Sequence, residues 1–284
     1  MAFNTAANIT AFVNTVYEGA LLVARDNNVM ASLVTVYNDR SGTATRSLQT
    51  YGTATINTIG ETDDLSSQTL TPSVLATLTP AEVGAQFFIT DLRVETDPFP
   101  IQSDASMELG MALAQSLEKN LLGNFSSLTG GTVGAAGTTI TWGHVMAMNA
   151  RLRAQNAPGP YFMVLHPYQW HQLGKAASVA SSVSTNAPPD FLSAIQRQYW
   201  LGSAYGIQFF NSSNIAIDGS DDAYCALFSR QSLALDIRRG MRVEPERDSS
   251  RRGYELNLSM VYAHGVWRKA FGIQGIFDAT APTS

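Results

Sequence analysis

The sequence predicts an α+β fold in which helices and strands follow one another in no regular order. Strand-like and helix-like segments are interleaved without the βα repeat of a parallel sheet. Residues 41–80 form a polar ribbon that holds eleven Thr and five Ser and no Lys. Residues 101–128 follow with the pattern of one long amphipathic helix. These three observations set the fold class and the order of its parts.

The ribbon has the pattern of a long β-hairpin. Its arms, Ser47–Thr58 and Thr69–Leu78, are rich in Thr and β-branched residues, and the turn-like segment Gly60–Asp64 separates them. A polar two-stranded hairpin has little to bury and is at best marginally stable alone in water. We therefore expect an adjacent copy of the chain to hold the ribbon.

The long helix carries apolar residues at every fourth position. At 1.5 Å per residue, 28 helical residues would extend about 40 Å, which also suits a plain core helix. The stripe consists of Ile101, Ala105, Leu109, Leu113, Leu117, Leu121 and Phe125, and it is widened by Met111, Ala112, Ala114 and Leu122.

The remaining segments are predicted from periodicity, Pro and Gly. Helices are expected at residues 6–29, 142–155, 167–175 and 190–200, and a mobile Ala/Ser/Pro segment at 176–189. Strands are expected at residues 30–37, 87–94, 161–165, 207–210, 215–217, 224–228, 233–237 and 241–245, and a closing β-hairpin at 254–267 with 272–277.

Composition limits the function. Charged residues make up 14% of the chain, below the roughly 25% usual for soluble domains, which suggests a surface covered by protein. The net charge of −5 argues against tight nucleic-acid binding. Cys225 is the only cysteine, so no intrachain disulfide or cysteine zinc site is expected. We expect no signal peptide and no membrane-spanning segment.

No catalytic, cofactor-binding or metal-binding residues are predicted. His166 and His171 are five residues apart with Pro167 between them, which is not the spacing of a helical metal pair. The acidic segment 218–222 lacks the spacing of a calcium loop and suits a solvated turn. Gly174–Ala176 lacks the Ser/Thr and upstream Gly of a phosphate-binding loop. The sequence predicts that the protein is not an enzyme and needs no cofactor.

One cluster of charges lies near the C-terminus. Its signs nearly cancel, so the cluster suits salt bridges across a subunit boundary, or else local pairs on an exposed hairpin that contribute little each. The arginines are Arg238, Arg239, Arg242, Arg247, Arg251 and Arg252, and they alternate with Asp236, Glu244, Glu246, Asp248 and Glu255.

The order of parts resembles the major capsid proteins of tailed bacteriophages, which share the Hong Kong 97-type fold. The resemblance spans about residues 1–280. The similar segments are the extended loop (52–65), its returning strand (86–92), the spine helix (104–122), the strand-to-helix corner of the axial domain (161–170) and a later strand of that domain (206–210).

The resemblance implies an N-terminal arm, an extended β-hairpin loop, a peripheral domain with the spine helix, and an axial domain. The implied boundaries are 1–44 for the arm, 45–95 for the loop, 96–140 and 237–284 for the peripheral domain with its closing strands, and 141–236 for the axial domain. It also implies hexamers and pentamers that close into an icosahedral shell around double-stranded DNA, without sequence-specific contacts to that DNA, in a virion assembled in the host cytoplasm.

Two departures from family patterns change the expected assembly. Some members crosslink a Lys of the extended loop to a neighbour's Asn, but this chain has no Lys before Lys119. Some members carry an N-terminal scaffolding segment, whereas this chain enters its first predicted helix soon after Met1. We therefore expect noncovalent contacts, a separate scaffolding protein, a portal and possible decoration proteins. The loop residues Glu61, Asp63 and Asp64 are expected to approach a neighbouring subunit near its arginine cluster.

Three other functions stay open at this stage. An encapsulin-type bacterial nanocompartment shares the fold but encloses cargo protein. An enzyme with a site assembled from distant residues would leave little trace in the sequence. A tail-tube protein is also a polar, ring-forming phage component, although the long helix at 101–128 argues against it.

Overall fold

The computed structural model describes residues 29–38, 43–52, 54–61, 64, 67–96, 101–178 and 202–283. Within these residues the helices are α1 (Met30–Leu33), α2 (Asp91–Thr96), α3 (Ile101–Leu122), α4 (Trp142–Ala154) and α5 (Pro167–Ser178). The strands are β1 (Thr35–Tyr37), β2 (Arg46–Tyr51), β3 (Pro72–Leu78), β4 (Ala81–Thr90), β5 (Thr132–Gly134), β6 (Tyr161–Leu165), β7 (Ser203–Ala204), β8 (Ile207–Asn211), β9 (Asp222–Ser229), β10 (Leu233–Asp248), β11 (Gly253–Val266) and β12 (Gly272–Asp278).

A four-stranded sheet has the order β1-β10-β11-β4. The long hairpin β10–β11 forms its centre, β1 lies parallel to β10, and β4 lies antiparallel to β11. The two strands predicted at 233–237 and 241–245 are one strand, because β10 continues through an irregularity between Ile237 and Arg242. A bulge accommodates the extra residues and bends the strand without ending it.

A six-stranded mixed sheet has the order β5-β12-β9-β6-β8-β7. Its central strands β6 and β9 are almost wholly buried. Helices α4 and α5 cover one face, where Trp142, Met148 and Trp170 enter a core of their own. The other face carries Phe228, whose ring lies 5.7 Å from that of Phe125 at the end of the spine helix. This sheet therefore has protein on both faces.

The spine helix α3 packs its apolar stripe between the two sheets. Leu109, Leu113, Leu117 and Leu121 are buried as predicted, and Phe125 continues the stripe in the 3₁₀ helix Gly123–Ser127. The last predicted turns are therefore 3₁₀ and not α. The predicted widening of the stripe is confirmed for Ala114 and Leu122 and wrong for Met111 and Ala112, which are exposed.

Three short segments differ from the prediction. Residues 30–37 divide into α1 and β1. The strand predicted at 87–94 begins earlier and ends at Thr90, whose hydroxyl accepts a hydrogen bond from the Arg93 backbone N–H and so starts α2. Residues 215–217 form no strand, and only Ile217 makes a bridge, to Ala223.

The prediction of a closing β-hairpin is wrong, although both of its strands exist. Both edges of β11 are already occupied by β10 and β4, so β12 cannot pair with it. After Val266 the chain turns through the 3₁₀ helix Lys269–Phe271. It then enters the six-stranded sheet, where β12 lies between β5 and β9. Strands that are adjacent in the sequence therefore do not pair here, because other strands already occupy both edges of β11.

The other predicted elements are confirmed within a few residues: the second ribbon arm (β3), helices α4 and α5, and strands β6, β8 and β9. The first ribbon arm is shorter than predicted, because β2 ends at Tyr51 and not at Thr58. The helices predicted at 6–29 and 190–200, and most of the segment 176–189, lie outside the described residues. Residues 176–178 belong to α5. The division into arm, loop, peripheral and axial domains stays a prediction.

Candidate assembly surfaces

Residues 46–78 of the ribbon begin as an antiparallel pair with one register shift, between Leu48 and Gln49. Strand β2 pairs with β3 from Arg46 opposite Leu78 to Tyr51 opposite Pro72. Farther out, the Gln68 side chain takes the place of a strand partner. Its amide donates to the Thr55 carbonyl at 2.6 Å and accepts from the Thr55 N–H at 2.9 Å. These bonds keep the two arms together beyond the end of the ladder.

Most of the ribbon buries nothing within the subunit. Ile56 is 96% exposed, and Leu70 is 66% exposed. Such large apolar side chains in one segment form an exposed patch of the kind that marks a protein contact. The other exposed apolar residues of the ribbon are Tyr51, Ile59, Val74 and Leu75. The ribbon, which is polar in overall composition, therefore also offers apolar area for contact.

The root of the ribbon is anchored on the four-stranded sheet. Leu48 and Leu78 are buried against Ala234 and Ala263. Beside them lies Asp236, which is fully buried. Among the described residues, the ribbon is therefore fixed at one end and largely exposed over the rest of its length.

Asp236 is an ionic anchor at this root. Its carboxylate lies 3.1 Å from the Arg46 guanidinium and 2.7 Å from that of Arg238. Arg46 also lies over the Tyr37 ring at 4.7 Å. Sequence reasoning missed Arg46, although it is the only charged residue between 41 and 60. An isolated Arg at the start of an uncharged arm is a signal that could have pointed to this anchor.

Most of the predicted arginine cluster is paired within its own chain. Arg238 pairs with Asp236, and Arg239 pairs with Glu82. Arg247 forms a bidentate pair with Asp91, with N–O distances of 2.6 and 2.7 Å. Arg251 lies 3.9 Å from Asp248 and 3.5 Å from Glu255. The pairs of Arg238 and Arg251 are local, whereas Arg239 and Arg247 pair with acids that are distant in the sequence. A contact of the cluster with another subunit stays a prediction.

Two arginines of the cluster are held less firmly by ion pairs within the chain than the others are. Arg242 pairs with Glu244 two residues along the same strand, and both side chains are more than half exposed, so this pair contributes little. Arg252 has no ion pair among the described residues and lies at the exposed turn of the β10–β11 hairpin with a φ of 51°. The acidic turn contributes Glu61 and Asp64, both exposed and both without an ion pair in the described part of the chain; Asp63 lies outside it.

The Arg247–Asp91 pair shifts the pKa of both groups so that their charged forms are favoured. The hydrogen bond from Arg247 lowers the pKa of the Asp91 carboxyl, and the same bond raises the pKa of Arg247. Both groups are solvent-accessible, so we read the pair as a positioning contact between the hairpin and α2 and not as a large source of stability.

Buried titratable groups lie around the spine helix. Glu118 accepts a hydrogen bond from the Met30 N–H at 3.0 Å, and burial raises the pKa of its carboxyl. The His264 ring contacts the Asn124 amide at 3.1 Å, and burial lowers the pKa of this His. On the other face of the six-stranded sheet, Cys225 is fully buried, which raises the pKa of its thiol to about 12. Glu118 therefore connects the spine helix to the start of α1.

Grooves among the described residues are possible sites. One of 480 Å³ lies at the end of the spine helix, between Lys119 and Tyr224. Another of 420 Å³ lies between β1 and the turn at Pro158–Pro160. The polar side chains of the first lining include Lys119, Ser126 and Ser213, and those of the second include Ser229 and Arg230. In the part of the chain that the structure describes, no group of three or more His, Cys, Asp or Glu side chains could hold a metal ion. No helix there has both the length and the apolarity to cross a bilayer.

Known proteins with solved structures share this architecture. A structure from Mycobacterium phage Che8 matches with a TM-score of 0.70 and 16% identity, over 90% of this chain and 92% of that one. The capsid of the cyanophage P-SCSP1u matches with a TM-score of 0.67 and 14% identity, over 89% of both chains. The holo-SrpI encapsulin of Synechococcus elongatus PCC 7942 matches with a TM-score of 0.60 and 11% identity, over 90% of this chain and 89% of that one.

These likenesses define a shell-protein fold of the Hong Kong 97 type, which confirms the fold predicted from the sequence. A profile of the family described as phage capsid protein matches residues 73–274. The chain belongs to this phage capsid protein family. A search of curated protein sequences gave no match to the chain.

Proposed function

We propose that the chain is the major capsid protein of a tailed bacteriophage, which forms hexamers and pentamers that close into an icosahedral shell around double-stranded DNA. Membership of the phage capsid family supports a structural role in a virion, and we extend this to a protein without enzymatic activity. The main support for the proposal is the ribbon. Its root is buried against the four-stranded sheet, and its apolar side chains beyond the root are exposed among the described residues.

The ribbon lies across an adjacent copy in this proposal. Its arms are uncharged between Ser47 and Gly60 and between Ser67 and Pro80. Their contact is therefore apolar and hydrogen-bonded along the length of the arms. The acidic turn with Glu61, Asp63 and Asp64 then forms ion pairs with the arginines of the neighbour.

Among those arginines, Arg242 is the principal partner of the acidic turn. Its exposed pair with Glu244 can open at small cost to admit a second carboxylate. Arg238 and Arg247 are held by Asp236 and by the bidentate contact to Asp91, so they serve the subunit itself. Reversing the charge at Arg242 therefore weakens assembly more than reversing it at Lys175, an exposed cation of α5.

Further partners complete the virion. We expect a separate scaffolding protein, a portal and possible decoration proteins, with assembly in the host cytoplasm. The net charge of −5 suits a lining that does not grip phosphates and that lets DNA enter and leave.

The test is negative-stain electron microscopy with light scattering on the purified chain, alone and co-expressed with the neighbouring genes. Wild-type protein gives closed shells or capsomer rings. Deletion of residues 53–76 leaves a soluble subunit that forms no shell, because the deletion removes the exposed ribbon but not its root. A matched control replaces residues 281–283 at the exposed C-terminal end with Gly and Ser and keeps assembly. Normal particles from the deletion variant would contradict the proposed role of the ribbon.

The similarity to the SrpI encapsulin keeps one alternative, a bacterial nanocompartment. It is the weaker likeness, with a TM-score of 0.60 against 0.67 and 0.70 for the phage capsids. Genes for a portal and a terminase beside this one favour the capsid, whereas a gene for a cargo enzyme favours the nanocompartment.

A further inference from the structure

Glu118 is a buried acid in the spine helix α3. The residue is only 1% exposed, although Glu is rarely buried unless it is paired. Its Oε2 atom accepts a hydrogen bond from the Met30 N–H at 3.0 Å. Among the described residues, the Oε1 atom has no hydrogen-bond partner, and no Arg or Lys forms an ion pair with the carboxyl group.

This carboxyl group replaces a cap at the start of helix α1. The first N–H groups of a helix have no partner within the helix, and the side chain of Val29, which precedes α1, provides none. Glu118 supplies the acceptor from another helix. Met30 and Leu33 also pack into the core at this junction, so the contact has an apolar part and an acidic part. Only the acidic part can change its charge.

The surroundings of the carboxyl group favour its neutral form. The backbone N–H groups of Met30 and Val29 and the hydroxyl of Ser212 stabilise the charged form. Burial has the larger effect, and it raises the pKa of Glu118 above the ordinary value of 4.5. A buried carboxylate without a cation is costly, so the ionised form stores free energy in the closed junction.

The elements around Glu118 bring no compensating charge. Helix α1 has no ionisable side chain, and neither has the segment 207–217 that carries Ser212. From β11, the Tyr262 hydroxyl and the His264 ring contact Asn120 and Asn124 of the spine helix and its 3₁₀ extension. Lys119 is adjacent in the sequence but exposed. None of these ionisable groups is among those that shift the pKa of Glu118.

We propose that Glu118 is a proton-controlled latch between the spine helix and α1. With a proton bound, the neutral carboxyl group stays buried, and its carbonyl oxygen accepts the Met30 N–H. Without the proton, the charge favours a state in which α1 separates locally from the spine helix and water reaches the carboxylate. The chain beyond Val29 is residues 1–28, so one proton controls how firmly the start of α1 is held where these residues join the body. The inference goes beyond the proposed function and does not depend on shell formation.

The direction of the pH dependence follows from proton binding. In the open state the carboxyl group is hydrated and its pKa returns toward 4.5. The closed state therefore binds more protons than the open state above pH 4.5, and the latch weakens as the pH rises through the raised pKa. Burial lowers the pKa values of His264 and His166, so these groups act in the opposite sense and weaken the fold as the pH decreases.

The opening of α1 is measured by hydrogen exchange and mass spectrometry on the unassembled full-length chain. Peptides that contain Met30–Leu33 are compared at pH 4.5, 6.0 and 7.5, after correction for the pH dependence of the chemical exchange rate. From pH 4.5 to 7.5, the protection of α1 in wild-type protein should fall by about threefold or more. The variant E118Q should show constant protection, because its amide oxygen accepts from Met30 but does not titrate. The matched control E108Q, at an exposed carboxylate of the same helix, should keep the wild-type profile.

Thermal unfolding gives a second measurement that a purely structural role would not reproduce. The Tm of E118Q should rise relative to that of wild-type protein as the pH increases from 4.5, whereas the loss of a static contact gives a constant difference. Wild-type protection that stays constant between pH 4.5 and 7.5, or that changes equally in E118Q, would overturn the latch. If E118Q does not fold, the wild-type exchange profile decides by the same criterion. Neither result depends on whether shells form, so the proposed function is tested separately.

Discussion

The ribbon and the six-stranded sheet differ in how far the subunit itself buries their apolar side chains. In the six-stranded sheet, Met163, Cys225 and Leu227 are fully buried, and both faces of the sheet are covered by helices of the same chain. The ribbon buries Leu48 and Leu78 at its root and leaves side chains such as Ile56 in solvent. The first region is complete in one subunit, whereas the second is complete only after assembly.

This difference separates two kinds of substitution. A change in the six-stranded sheet alters the free energy of unfolding of the isolated subunit, because the contacts that are lost are intrachain contacts. A change on the ribbon alters the assembly and leaves the isolated subunit almost unaffected. The root of the ribbon, where Asp236 joins Arg46 and Arg238, is the one place where both effects meet.

The largest change in stability is expected at this root. The substitution Asp236→Asn leaves Arg46 and Arg238 without their shared carboxylate, and loss of one partner from a buried ion pair costs about 3–5 kcal/mol. Urea unfolding of the subunit measures the free energy, and proteolysis of the ribbon reports whether its root has loosened.

The control for this substitution is Glu246→Gln, at an exposed position of β10, which should change the free energy of unfolding by about 0.5 kcal/mol or less. Equal stability of Asp236→Asn and wild-type protein would show that the ribbon is held by Leu48 and Leu78 without the ionic anchor.

The second prediction compares the two regions directly. Leu227→Ala removes a fully buried side chain from the six-stranded sheet and should lower the free energy of unfolding by about 2–5 kcal/mol. Ile56→Ala on the ribbon should change it by about 0.5 kcal/mol or less, because Ile56 is 96% exposed in the subunit.

The order should reverse in assembled particles. When shells are titrated with denaturant, Ile56→Ala should lower the concentration at which subunits dissociate. If Ile56→Ala destabilises the isolated subunit as much as Leu227→Ala does, the ribbon is packed within its own chain and the contrast fails.

The third prediction tests how tightly the edge of the six-stranded sheet is packed. Gly134 and Gly137 both have positive φ, at 83° and 70°, so Ala costs about 1–2 kcal/mol at either position. They differ in space: a Cβ at Gly134 would lie 2.3 Å from the Phe277 ring, and a Cβ at Gly137 meets nothing within 4 Å.

Gly134→Ala should therefore be less stable than Gly137→Ala by about 1–3 kcal/mol, the usual cost of overpacking. Thermal and urea unfolding of the two variants provide the comparison. Equal stabilities would mean that Phe277 moves aside at little cost and that this edge of the sheet is loosely packed.

Local patterns in the sequence predicted most of the elements. The four-residue spacing of Leu109, Leu113, Leu117 and Leu121 identified the spine helix, because only one face of that helix is buried. The β-branched arms and the uncharged composition identified the ribbon. The exposure of the ribbon in the subunit was expected from the same polar residues, because a polar hairpin has little to bury.

Pairing between distant strands could not be predicted from such patterns. The segments 254–267 and 272–277 look like a hairpin, and only the occupied edges of β11 show why they separate. The arginine cluster gave a similar ambiguity. Its charges alternate with acids in the sequence, but Arg239 and Arg247 pair with Glu82 and Asp91 from a strand and helix more than 150 residues away. Charge spacing contains no information about such partners.

The smallest expected effect is a pH dependence that originates where the spine helix meets the four-stranded sheet, outside the six-stranded sheet and the ribbon. The Asn124 Nδ2 atom can only donate, so the His264 Nδ1 atom that it contacts must accept, and the neutral ring carries its proton on Nε2. Burial lowers the pKa of His264 from the ordinary value of 6.5. The unfolded chain therefore binds more protons than the folded chain just below pH 6.5, and stability falls as the pH decreases through this window.

We expect His264→Gln to remove part of this dependence, because the Gln carbonyl can accept from Asn124 but does not titrate. Between pH 7.5 and 5.5 the Tm of wild-type protein should drop by about 1–3 °C more than that of the variant. Burial also lowers the pKa of His166, so some dependence should remain in the variant. Identical pH profiles for the two proteins would show that the contact between Asn124 and His264 does not control the acid sensitivity, and that the junction of spine helix and sheet tolerates a charged ring.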